Sequence, residues 1–176
     1  MLACNSKFQI LTLEEDGSAL RLSDQKTTLW ETRCYATIGR FSPAETFVIS
    51  CDKTARKAKV VVLDAVSGNA LHVLCDPWHP SFDVDCDFVS DEECVVISTD
   101  THVKQRFVQL FNVRSGDLLS DLASSNPQPN RRPTQGVIAA LPCKRLVAVY
   151  QSDTKHGYEL IQARLPGDED SSKSRW

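Results

Sequence analysis

Val48-Ile49-Ser50-Cys51-Asp52 recurs as Val96-Ile97-Ser98-Thr99-Asp100, 48 residues further along the chain. At the same offset, Val60-Val61-Val62-Leu63-Asp64-Ala65-Val66-Ser67-Gly68-Asn69 recurs as Val108-Gln109-Leu110-Phe111-Asn112-Val113-Arg114-Ser115-Gly116-Asp117. A supersecondary unit written twice at a fixed period cannot bury its apolar surface alone, so it stacks on its own copies. The repeated segments are rich in Val, Ile and Phe, the residue types that suit a pleated, half-buried surface. No window of the chain shows sustained 3.6-residue periodicity with caps, so helices are not expected.

Strand-like runs are expected at 8–13, 18–23, 27–32, 36–41, 45–51, 59–66, 70–75, 82–88, 93–99, 106–113, 117–122, 136–141, 145–151 and 157–164. Glu15-Asp16-Gly17, Ser67-Gly68-Asn69 and Ser115-Gly116-Asp117 place glycine where a hairpin needs positive φ. Ser42-Pro43 and Cys75-Asp76-Pro77 are expected to end strands, since proline cannot donate to a ladder. Val60 through Leu63 is an unbroken apolar run, and Phe107, Val108, Leu110, Phe111 and Val113 nearly repeat it. Antiparallel strands apolar on both sides need a sheet above and a sheet below. Radially stacked blades supply both, which makes the expected fold an all-β, partial β-propeller of stacked four-stranded antiparallel blades. The period divides the chain into a partial blade at 1–34, full blades at 35–80 and 81–130, and a divergent or incomplete blade at 131–167. The second full blade ends in the Pro-rich connector Ser124–Pro133, and 168–176 is a polar tail expected to be disordered.

Twenty Lys and Arg against 23 Asp and Glu leave a net charge of −3, too little for general attraction to nucleic acid or membranes. No secretory leader and no run of about 20 apolar residues can be read, so a cytoplasmic protein is expected. The seven cysteines include no CxxC pair, and those inside apolar strand patterns are expected to be reduced, buried hydrophobes. GxSxG, HExxH and a glycine-rich GK[ST] loop are all missing, and no catalytic residue, metal or cofactor is expected. His72 reads as a packing residue within an apolar strand, and His79, His102 and His156 carry no motif. Asp83, Asp85 and Asp87 alternate along one strand, but Phe88 and Cys94 stand where a calcium loop needs glycine and glutamate. They read as a polar strand face beside solvent.

Phe41-Ser42-Pro43, Phe47-Val48-Ile49-Ser50, Val60-Val61-Val62-Leu63-Asp64 and Ser67-Gly68-Asn69, in that order, resemble one unit of the WD-repeat β-propellers. Phe88-Val89-Ser90-Asp91, Val96-Ile97-Ser98, Val108-Gln109-Leu110-Phe111-Asn112 and Ser115-Gly116-Asp117 resemble the next. Leu63-Asp64 and Phe111-Asn112 stand in place of the family's Trp-Asp pair, and its Gly-His pair is absent. The long, divergent units are similar to those of the NACHT-and-WD-repeat proteins. The resemblance implies a non-catalytic scaffold for protein–protein interaction, belonging to a larger propeller protein. It also raises two alternatives: a regulatory or sensor segment of a NACHT-type signalling ATPase, and a propeller hydrolase.

In an up-and-down blade, second-to-third loops and blade-to-blade connectors emerge at one rim. There Lys53, Arg56, Lys57 and Lys59 crowd into the eight residues Asp52–Lys59, Lys104 and Arg106 occupy the corresponding loop, and Arg131 and Arg132 lie in the Pro-rich connector. These eight residues are the expected partner-binding set, suited to an acidic protein partner. Asp91-Glu92-Glu93 falls on the opposite rim, while Glu14-Glu15-Asp16 dilutes the basic one. Nucleic acid is disfavoured because Trp78 is the one aromatic available on that rim. Exposed apolar blade faces would favour self-association.

Overall fold

The computed structural model describes residues 2–14, 18–53, 58–78, 82–100, 105–125, 133–141, 145–152 and 157–164. Side chains are described over 2–14, 18–52, 59–74, 84–98 and 107–121. The described segments are strands and tight turns. The first sheet comprises β1 (Ala3–Cys4), β2 (Ile10–Leu13), β3 (Ala19–Ser23) and β4 (Thr28–Arg33). The second comprises β5 (Ala36–Phe41), β6 (Phe47–Lys53), β7 (Ala58–Asp64) and β8 (Ala70–Trp78). The third comprises β9 (Phe82–Phe88), β10 (Glu93–Asp100), β11 (Gln105–Asn112) and β12 (Leu118–Ser125). All three are antiparallel meanders in sequence order.

Residues 130–176 form a separate unit, in which β13 (Pro133–Leu141), β14 (Arg145–Ser152) and β15 (Gly157–Arg164) make a three-stranded antiparallel sheet. Its register sets Ile138 opposite Ala148, and Ala148 opposite Ile161.

The duplication appears as two layers of core. Leu11, Leu20, Leu22 and Trp30 of the first sheet pack with Val48, Val61, Leu63 and Ala65 of the second. On the other face of the second sheet, Phe47, Ile49, Val60, Val62 and Leu74 pack with Cys86, Phe88, Cys94, Val96, Phe111 and Val113 of the third. The unbroken run Val60–Leu63 is buried because its residues point alternately into two different cores. Each such side chain contributes about 1.5–3 kcal/mol on transfer from water. The first strand of each sheet leads the stacking: β5 packs against β1, β2 and β3, while β9 packs against β5, β6 and β7. Stacked four-stranded antiparallel blades are the architecture of a β-propeller.

Several strand ends depart from the sequence expectation. Ala3–Cys4 is a strand, where two residues are too few to carry an alternation. Phe8, expected to start a strand, sits in the β1–β2 turn at φ 59°. Pro77 does not stop β8, which runs to Trp78 with register shifts near Val60. The physical reason is position: β8 is an edge strand, so the missing N–H can face the unpaired side.

Candidate functional site

The expected partner-binding rim is partly visible. Cys34 and Tyr35, which connect β4 to β5, lie at the end of the blades that carries the β2–β3 and β6–β7 loops. The Cys34 N–H donates to the Ser18 carbonyl at 3.0 Å, and the Tyr35 N–H donates to Asp52 Oδ1 at 2.9 Å. Asp52 is buried, and Lys59 Nζ lies 3.2 Å from its Oδ2. One carboxylate therefore fixes the connector and holds the loop lysine, whose side chain keeps 40% of its exposure. Lys53 ends β6 beside Ala58, and Arg106 faces Thr99 near the start of β11; for both the backbone placement is described. Arg56, Lys57, Lys104, Arg131 and Arg132 lie outside the described residues, as do Gly17, His79, His102, His156 and the 168–176 tail; the side chain of Trp78 is likewise not described. Of the eight expected residues, Lys59 is thus seen to have a partner within its own blade.

The opposite rim is built from turns that repeat atom for atom. Asp64 Oδ1 accepts from the Val66 and Ser67 N–H groups at 3.1 and 2.7 Å, and Asn112 Oδ1 accepts from those of Arg114 and Ser115 at 2.9 and 3.0 Å. Asp24 does the same for Lys26 and Thr27 in the first sheet. Here an Asx side chain stands in for backbone within a tight turn. This is the role of the Asp and Asn that follow Leu63 and Phe111, and it holds the Asp24 and Asp64 carboxyls below the usual range through those backbone donors and, at Asp64 first of all, the Ser67 hydroxyl. Gly68 and Gly116 close their turns at φ 72° and 78°.

Carboxylates also clasp one blade's turn to the next. Glu45 accepts from Ser6, whose hydroxyl lies 2.9 Å from Glu45 Oε2, and Asp91 accepts from the Ala44 N–H. Along the outer strands, Trp30 Nε1 donates to the Ala65 carbonyl at 3.0 Å and Thr32 Oγ1 donates to that of Gly68 at 2.6 Å. His72 packs in the corresponding way against Gly116, the packing role expected of it. Sequence reasoning missed Trp30, Glu45 and Asp91, since each acts across blades on turns about 35–47 residues away. These clasps hold the rim rigidly.

Asp85 and Asp87 are not simply a solvated face. Arg40 Nε of β5 lies 3.4 Å from Asp87 Oδ2, joining the first strands of two blades. Burial pushes the Asp87 carboxyl up, and it pushes that of Asp85 up to about 6 against the pull of the Cys86 N–H and Arg40. A carboxyl that ionises less readily in the folded state costs stability as the solution passes from its unfolded to its folded pKa. Stability should therefore fall as pH rises from about 4 to 6, and Asp85→Asn should flatten that fall and gain ~2 kcal/mol at pH 7. Urea midpoints at pH 4, 5, 6 and 7 check this; a variant whose profile parallels wild type would refute it. Burial likewise pushes the Cys86 thiol well up and that of Cys94 up to about 12, so neither is a thiolate nucleophile.

Neither protein-family models nor curated proteins match this chain. Solved structures do. An uncharacterized protein of Listeria monocytogenes superposes with TM-score 0.54 at 9% identity, over 86% of this chain and 61% of its own. A TolB-like protein of Agrobacterium tumefaciens, a β-propeller, superposes with TM-score 0.50 at 12% identity, over 92% of this chain and 59% of its own. A Kuenenia stuttgartiensis hydrazine synthase chain reaches TM-score 0.39 at 14% identity over 82% of this chain and 56% of its own, too low to carry an argument. At these identities the likeness shows fold alone. The chain is an all-β protein of the β-propeller class, spanning about three fifths of the first two chains. No helix among the described residues is long and apolar enough to cross a membrane.

Proposed function

We propose that the chain is a non-catalytic protein-interaction scaffold built from WD-like repeats, whose connector rim takes an acidic protein partner. The observation that supports this most is Lys59, held by Asp52 at the base of the β6–β7 loop with its side chain still 40% exposed. On the turn rim, side chains are spent on internal clasps that set the blades rigidly, with Asp24, Asp64, Asn112, Glu45 and Asp91 all engaged. In the sequence, Arg56 and Lys57 fall between β6 and β7, Lys104 falls between β10 and β11, and Arg131 and Arg132 precede β13. Loops held by a rigid scaffold are where binding residues concentrate. The WD resemblance gives the same reading, with Asp64 and Asn112 standing where the family has its aspartate.

The test is charge reversal that leaves the Lys59–Asp52 pair intact. Arg56→Glu with Lys57→Glu should weaken capture of bound proteins from a cell extract by about tenfold or more, in a salt-sensitive way, while melting is unchanged. If the reversed chain retains every partner of the wild type, the basic rim is not the binding surface.

A further inference from the structure

We infer that a groove between the outer strands of the first and second sheets takes an extended segment of the partner, one with apolar side chains at alternate positions beside acidic residues. This placement rests on the reading of the connector rim as the surface for an acidic partner, and adds where and in what form that partner docks.

The groove follows from how far one blade covers the next. Trp30 Nε1 of β4 reaches the Ala65 carbonyl, and Thr32 Oγ1 reaches that of Gly68, in the turn that leads into β8. β4 ends one residue later, at Arg33, whereas β8 starts at Ala70 and runs on to Trp78. The face of β8 turned toward the first sheet therefore loses its cover. Val73 stands opposite Val61, which is buried against the first sheet, and Leu71 is the extra residue of the register shift opposite Leu63, buried there too. Leu71 and Val73 nevertheless keep 43% and 45% exposure. On the other face of β8, Leu74 is buried in the core shared with the third sheet.

The strip ends at the connector rim. Lys59 shares a face with Val61 two residues along β7, and Asp52 holds both the Lys59 ammonium and the Tyr35 N–H. Tyr35 is 55% exposed, an aromatic of the kind that interfaces concentrate. Around this end the sequence sets Lys53, Arg56, Lys57 and Lys59 against Asp52 and Asp76, four cations to two carboxylates. Glu31 and Arg33, on the far face of β4 by alternation with Trp30 and Thr32, cancel each other. The surplus of cations favours an acidic segment and opposes a second copy of the same surface. β8 is an edge strand, but three register shifts against β7 and Pro77 distort its free edge. Side chains seated on Leu71, Val73 and Tyr35, rather than an added strand, therefore carry the contact.

Panning a display library of random linear peptides on the full-length protein tests this. The retained peptides should pair apolar residues at alternate positions with neighbouring Asp or Glu. As labelled synthetic peptides in fluorescence anisotropy, they should lose about tenfold or more in affinity for Leu71→Gln with Val73→Thr. Melting of this variant should match wild type, since both side chains are already half exposed. A library that yields no binder, or binders that the double variant holds as tightly as wild type, would overturn the groove. Arg56→Glu with Lys57→Glu separates the two readings. Peptides lost to that reversal but held by the groove variant would refute the groove and leave the basic rim standing; peptides lost only to the groove variant would refute the rim and spare the groove. A lowered melting temperature in the free groove variant would mean that part of the same chain already lies there. A wild-type dimer in light scattering that the groove variant dissolves would mean that a second copy does; either result contradicts a partner segment.

Discussion

Trp30→Ala is expected to lose about 3–5 kcal/mol of stability, lowering the melting temperature by of order 10 °C. Trp30 is 7% exposed in the core between the first two sheets, so its loss leaves a cavity. It also removes the 3.0 Å bond from Nε1 to the Ala65 carbonyl, one of the ties between the first blade and the second blade's turn. Trp30→Phe separates the two contributions: most of the ring is kept, and the expected loss falls to about 1–2 kcal/mol. Urea denaturation of both variants measures the difference. An alanine variant within about 1 kcal/mol of wild type would show that the first sheet is not packed there.

The second large effect is at Gly68. Its φ of 72° is a conformation that costs an L-residue about 1–2 kcal/mol. An added Cβ would also lie 2.6 Å from Trp30 Cδ2, inside contact distance. Gly68→Ala should therefore cost about 2–4 kcal/mol, whereas Gly116→Ala should cost about 1–2 kcal/mol. The corresponding approach at Gly116 is to His72 Cβ at 3.2 Å, a milder overlap that a shift of a few tenths of an ångström relieves. The Gly68 penalty should shrink in a Trp30→Ala background, because the overlap is with that ring. Equal costs at the two glycines, or no coupling to Trp30, would refute the packing described.

How much of this was legible in the sequence follows from what each feature depends on. The duplicated apolar runs foretold the second and third sheets, since Val60–Leu63 needs cover on both faces and finds it in two cores. Gly68 and Gly116 were legible for the same local reason, through positive φ, while Gly17 lies outside the described residues. Ala3–Cys4 was invisible because a two-residue strand has no period, and Pro77 misled because edge position is a property of the sheet. The Arg40–Asp87 pair and the Glu45 and Asp91 clasps join blades across long sequence separations, which spacing cannot announce. The basic loop residues were identified by charge and by the up-and-down topology. Lys59 illustrates the limit of that reading, since its pairing with Asp52 depends on a cross-strand register.

The duplicated units form two separate sheets laid face to face. Nuclear Overhauser spectroscopy on methyl-labelled protein tests it most directly. Side-chain cross-peaks are expected from Ile49 and Val62 to Phe88 and Val96, with backbone contacts confined to pairs such as Val95–Leu110 and Ile49–Val62. Backbone cross-peaks joining residues 47–53 directly to 93–100, as neighbours in one common sheet, would contradict it.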